Sequence, residues 1–252
     1  VSDVRPIEKE SYLEPEETET TRSSETEETS EESDVVEIEV KDDWDIGYAT
    51  TSVNIRKRPS TDADVLSNLS FNEKVEYQEY NSDWYLVRYD DDVAFVSTKY
   101  ISDSEMSYKS YTLSSSGFKS YMPYTAITSK SSSQYKLQAQ FAYTGTYGIR
   151  QVNGRYCVAL GSTVAYPIGT YADLVLENGT IIPCILADQK ADNDTKSDNL
   201  TTASNGCVSE FVVDSSALVK RIKRSGSVSS ACDEWDSPVV EIRVYGDMNV
   251  FN

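Results

Sequence analysis

The sequence predicts an all-β protein, with two small barrels behind an acidic tail. Short runs rich in β-branched and aromatic residues recur between residues 53 and 96 and again between 137 and 245. Turn segments carrying Gly, Asn and Pro separate these runs, and helical periodicity is scarce. At 252 residues the chain has room for two ordinary domains, which usually hold about 100 to 200 residues each. The expected organisation is a disordered acidic stalk over residues 1–45, a small barrel over 46–103, a Ser- and Tyr-rich linker and lead-in over 104–134, and a six-stranded closed barrel over 135–252.

The net charge of −19 is concentrated at the start of the chain, where residues 1–43 hold about 17 acids and about 4 bases. A segment such as EPEETETTRSSETEETSEES cannot bury enough apolar surface to offset the chain entropy lost on ordering, so it is expected to stay solvated. The small barrel follows in the runs Val53 to Ile55, Lys74 to Tyr77, Trp84 to Val87 and Val93 to Val96, a spacing suited to five to seven strands. The second barrel is read in six runs: Leu137 to Tyr143, Tyr156 to Leu160, Ala172 to Leu176, Ile181 to Ala187, Cys207 to Val213 and Val239 to Tyr245. Asn178-Gly179, between LVLE and TIIPCIL, is the strongest hairpin signal in the chain.

Composition excludes several function classes. Nucleic-acid binding needs clustered Lys and Arg to neutralise phosphates, and the only dense cluster, Lys220 to Arg224, reads as a solvated helix or turn face. No apolar run reaches the roughly 20 residues that span a bilayer; with Val1 at its start the chain reads as a mature form, and a signal peptide or anchor is expected upstream. The four cysteines, Cys157, Cys184, Cys207 and Cys232, are compatible with two disulfides in an extracytoplasmic protein or with buried free thiols. They contain no C-x-x-C pair and the chain has no histidine, so neither a zinc site nor any cofactor is expected. Asp192, Asp194 and Asp198 have calcium-loop alternation but lack the turn glycine and terminal Glu, and read as a solvated acidic loop.

The stretches VNIRKRPS at 53–60 and DWYLVRY with AFVSTKYIS at 83–102 resemble the bacterial SH3 (SH3b) family. The residues carrying the resemblance are Asn54, Arg56, Pro59, Ser60, Trp84, Tyr85, Val87, Phe95, Val96 and Tyr100; Ala94 stands where a Gly usually precedes the aromatic, at a turn that would be strained if it needed positive φ. The resemblance implies an SH3-like barrel, an extracytoplasmic place at a bacterial cell wall, and peptidoglycan as partner. Its ligand would be gripped by Tyr77, Trp84, Tyr85 and Phe95, though some of these must build the core, Trp84 foremost.

The order AYT (142–144), YCVALG (156–161), PIGT (167–170), ILADQK (185–190) and NGCVSEFVV (205–213) resembles the 3D domain, a double-psi β-barrel shared with lytic transglycosylases of the MltA type. Of the three aspartates that name the family, the first position reads Gly161, the second is Asp188 and the third is Glu210; the glycine-rich loop is replaced by QKADNDTKSDNLTTAS. The resemblance implies glycan cleavage with Glu210 as single acid and base and Asp188 tuning it; a non-catalytic scaffold that uses both domains for recognition is the alternative. Strand alternation turns Glu210 outward if Phe211 and Val213 face the core. SNGCV at 204–208 also resembles the Ser-His-Gly-Cys motif of L,D-transpeptidases, with Asn205 in place of the histidine; Cys207 then lacks the base that would activate it.

Overall fold

The computed structural model describes residues 38–252, so the expected stalk lies outside the described residues up to residue 37. The described chain is all-β in character, built on two sheets, as its alternation predicts. The first sheet contains β1 (Asp45–Ala49), β2 (Val53–Arg56), β3 (Val65–Leu69), β4 (Lys74–Glu79), β5 (Trp84–Tyr89), β6 (Asp92–Ser97) and β7 (Ile101–Ser102), in the order β3-β2-β6-β5-β4-β1-β7. Ala49, Val53, Leu69, Val75, Val87 and Val96 fill its core. Ala94 is a fully buried strand residue opposite Val87, and its φ is not positive, so the strain expected of a turn there does not arise. The chain reverses instead at Asp90, whose φ of 51° is tolerated by Asp. Residues 41–43 are already fastened to this sheet: the Gln78 side chain accepts from the Lys41 amide and donates to the Lys41 and Asp43 carbonyls.

The second sheet contains β8 (Lys109–Ser116), β9 (Ser120–Pro123), β10 (Tyr143–Thr144), β11 (Arg150–Val152), β12 (Arg155–Leu160), β13 (Thr170–Leu176), β14 (Ile181–Gln189), β15 (Glu210–Val213) and β16 (Val239–Asn249). Its path runs β10-β11-β12-β14-β13-β16-β8, with β15 branching from β12 and β9 from β15. β12 runs parallel to β14 and β9 parallel to β15; the other pairs are antiparallel. Nine strands appear where six are expected, because the passage read as linker and lead-in contributes β8 and β9 and short strands form at β10 and β11. The expected strand at Leu137 to Tyr143 is helix α1 (Ser133–Gln140) instead. Ser132 caps it by accepting from the Tyr135 amide, and Gln, Lys, Leu and Ala favour the helix once it is started. The Asn178-Gly179 signal is realised as the β13/β14 hairpin, with Gly179 at φ 86°.

Alternation sorts the second sheet into two faces. Ile182, Cys184, Leu186, Phe211 and Val213 enter the main core, whereas Ile185, Ala187 and Val212 pack with Leu137 of α1 on the other side. Helix α2 (Lys220–Ser225) buries Ile222 and exposes Lys220, Arg221, Lys223 and Arg224, the solvated face expected of that cluster. All four cysteines are free, which removes the two-disulfide arrangement; Cys157, Cys184 and Cys207 are buried. No helix among the described residues is long and apolar enough to cross a membrane.

Lys41–Asn252 form one unit, in which the sheets meet through Phe71. Its ring stands edge-on to Tyr171 at 5.5 Å and to Tyr245 at 4.8 Å, while the Arg155 guanidinium lies 4.8 Å from the Phe71 ring and 4.7 Å from that of Tyr171. Arg155 is held by the Cys184 and Ala172 carbonyls and by an ion pair with buried Asp173, which also accepts from the Tyr245 hydroxyl at 2.7 Å. Beside this joint, Asn72 (φ 62°) donates to the Met106 carbonyl and accepts from the Met106 amide.

Candidate functional site

A row of four residues crosses β14, β12, β15 and β9. Ala159 pairs with Asp188 on one side and Glu210 on the other, and Glu210 pairs in turn with Ser120. Partners in register project to the same face of a sheet. A register shift after Val158 makes this row possible: Leu186 faces Val158, yet Asp188 rather than Ala187 faces Ala159. The extra residue turns Asp188 to the side of Glu210.

The two expected catalytic carboxylates thus share a face, but β12 lies between them. Two strand spacings put their backbones roughly 10 Å apart, and Asp188 spends its carboxylate on the Gln189 amide at 2.8 Å and on Gln134 of α1. Burial raises the Asp188 pKa above the usual carboxylate value, and those two hydrogen bonds partly offset it. Glu210 is also raised: burial leads, Lys190 pulls it down, Asp188 and Asp194 push it up, and the Ser120 hydroxyl pulls it down. Glu210 borders a cavity of about 380 Å³ together with Lys190, Asp194, Thr202 and Asn205; Asp188 is not on its lining.

Sequence reasoning missed Lys190, although it ends the quoted ILADQK run. Its side chain is buried, with Nζ donating to Thr202 Oγ1 at 2.9 Å and to the Cys207 carbonyl at 3.0 Å, and its pKa is lowered chiefly by burial. It anchors the 189–204 insertion against β14. Gly161 has no room for a larger residue: a Cβ at that position would collide with the Asn199 carbonyl oxygen and come within 2.5 Å of the Leu200 Cα. The loop at Asn199 and Leu200 occupies the space a side chain there would need. The acidic loop inside it uses its own carboxylates: Ser162 donates to Asp192, and Asp198 accepts from the amides of Leu200 and Thr201.

Cys207 is fully buried, its sulfur 3.0 Å from Ser120 Oγ and 3.8 Å from Lys190 Nζ. A substrate carbonyl has no path to it, so the transpeptidase-like motif is a packing feature.

The four aromatics expected to grip a ligand do not form one surface. Phe95 is 2% exposed and packs against Tyr80. Tyr77 and Tyr85 meet with ring centroids 4.2 Å apart and planes tilted by 42°, and close one side of the first core. Trp84, expected mostly in that core, lies outside it and is half-buried, because alternation along β5 sends Tyr85 and Val87 inward and Trp84 to the opposite face. There it lines a cavity of about 880 Å³ with Arg56, Lys99 and Tyr100 of the first sheet and with Asn153 and Tyr171 of the second.

Residues 51–102 match the bacterial SH3 domain family, in agreement with the resemblance read from Asn54 to Tyr100. A search among curated proteins returns no match.

Proposed function

We propose that this chain is an extracytoplasmic protein of the bacterial cell envelope that binds peptidoglycan. The observation that carries this reading is the bacterial SH3 domain at residues 51–102, whose Trp84 faces an open cavity instead of its own core. Retention on insoluble peptidoglycan tests it: the protein sediments with purified sacculi, and failure to do so at low and physiological salt rejects the reading.

A second reading adds chemistry to the binding. The resemblance of the motifs between residues 142 and 213 to the 3D domain motivates glycan cleavage, in which one carboxyl group protonates the glycosidic oxygen and then takes the proton of the sugar's own C6 hydroxyl. Such an acid must hold its proton near neutral pH, and the burial that raises Glu210, aided by the negative charges of Asp188 and Asp194, acts in that direction. Lys190 opposes it, and Asp188 lies off the cavity, which Glu210 shares with Asp194. Mass spectrometry of the sacculus supernatant decides between the readings. Anhydro-muropeptides released by the native chain and absent with Glu210→Gln support cleavage; retention without release leaves a binding protein.

A further inference from the structure

The seam between the two sheets carries a feature the SH3 domain alone does not explain. The 880 Å³ cavity is continuous in its lining with a second one of about 500 Å³, the two sharing Thr51, Ser52, Asn153, Gly154 and Tyr171. One wall therefore comes from β2 and the loop before it, the other from the β11/β12 hairpin and β13. Asn153 and Gly154, with φ of 51° and 76°, form the tight turn that brings the hairpin tip to the cleft, and Asn153 donates to the Tyr171 hydroxyl at 3.0 Å. The joint of Phe71 with Tyr171, Tyr245 and Arg155 holds the walls together, so the cleft exists before any ligand arrives.

The larger cavity carries a charge opposite to that of the chain, while the smaller one balances Glu105 and Asp173 against Arg155 and Arg243. The protein has 42 acidic residues, yet none lies on the lining of the larger cavity, which carries Arg56 and Lys99. Neither cation forms an ion pair among the described residues. Arg56 is held in place by the Ala63 carbonyl at 2.8 Å, and Lys99 lies 5.3 Å from the Tyr100 ring. Around them stand the Trp84 and Tyr100 rings and the hydroxyl or amide groups of Thr50, Asn54 and Asn153. Two positive groups, aromatic surface and neutral hydrogen-bonding groups along an elongated seam complement an extended peptide with free carboxylates better than a neutral sugar.

We propose that the seam between the SH3 domain and the second sheet is a composite binding site for an acidic peptide, and, given the wall-binding reading, for the peptide stem of peptidoglycan. The site needs both walls, so the second sheet takes part in recognition whether or not it cleaves glycan.

Calorimetric titration of the full chain tests this, with soluble muropeptides from a muramidase digest as one probe and peptide-free glycan strands as the other. Muropeptides are expected to bind and the bare glycan to bind at least about tenfold more weakly, with affinity falling as salt is raised. The double change Arg56→Gln with Lys99→Gln should weaken binding at least about tenfold. Asn153→Asp tests the other wall: Asp tolerates the same backbone conformation, and the added negative charge should weaken the complex by about fivefold or more. A normal melting temperature for each variant certifies its fold, and quenching of Trp84 fluorescence by muropeptide, lost in Trp84→Phe, reports occupancy directly. Full affinity in Asn153→Asp would overturn the composite site, and equal affinity for peptide-free glycan would overturn the peptide assignment. Retention on sacculi without muropeptide binding rejects this inference and spares the wall-binding reading, whereas no retention rejects that reading itself.

Discussion

Phe71, in the turn between β3 and β4, stands edge-on to Tyr245 of β16 with ring centroids 4.8 Å apart, joining residues 174 positions distant in the chain. With the Tyr171 contact at 5.5 Å and the Arg155 guanidinium above its face, this ring fastens the two sheets together. Aromatic pairs contribute about 0.5 to 1.5 kcal/mol each beyond area burial. Phe71→Ala is expected to weaken docking by about 1 to 3 kcal/mol while each sheet keeps its own core. Small-angle scattering and NMR relaxation read the outcome as a broader distribution of domain orientations.

Lys119 is fully buried and donates to the carbonyls of Trp235 (3.0 Å) and Ser237 (2.7 Å) and to the Ser229 hydroxyl (3.3 Å), which ties the 226–238 excursion to the sheet. Burial lowers its pKa to about 8. A lysine depressed in the folded state carries more protons unfolded than folded between that value and the ordinary 10.5, so its contribution to stability is present above pH 10.5 and declines as pH falls through about 8. Urea unfolding should therefore show wild type gaining on Lys119→Met between pH 7.5 and 9.5 (approximate limits). At the alkaline end of that range the variant should lose about 1 to 3 kcal/mol through its orphaned carbonyls.

The cysteines make a third prediction. Burial pushes the Cys157 thiol up to about 12 and raises that of Cys184 well above the ordinary thiol value, and Cys207 is enclosed, leaving Cys232 as the partly exposed sulfur. A thiol reagent such as dithionitrobenzoate should react quickly with Cys232 alone in the native protein and with all four after unfolding. Reducing agent should leave the melting temperature unchanged.

Gly161→Ala probes the space beside the carboxylate row. The new methyl meets the backbone of Asn199 and Leu200, which cannot swing away as a side chain tip would. The expected cost is about 1 to 3 kcal/mol, with hydrogen exchange accelerating first in residues 190–204. Unchanged exchange there would mean that the insertion does not rest on Gly161.

Much of this molecule is legible in local sequence. Two-residue alternation and turn chemistry predict β2, β4, β5 and β6 of the first sheet, β12 to β16 and the hairpin at Gly179, because each depends on residues adjacent in the chain. Alternation also places Phe211 and Val213 inward and Glu210 outward. The helix at Leu137 is misread because a short run with few apolar residues has no clear period, and its start is set by one capping serine. β8 and β9 are missed because their Ser- and Tyr-rich segments gain strand character only from partners more than 80 residues away.

The sequence by itself determined the all-β character of the described chain and the SH3 domain within it; the closed six-stranded barrel it suggested for the second half is a nine-stranded sheet instead. Tertiary structure alone decided what faces what. A single extra residue after Leu186 turns Asp188 toward Glu210, since a strand's side chains reverse sides with every residue. Lys190 becomes the neighbour of Glu210 only when the insertion folds over it. The cleft at Trp84 exists because Phe71 and the Asn153 turn, about 80 residues apart, are brought together by packing, and no local periodicity encodes a contact of that range.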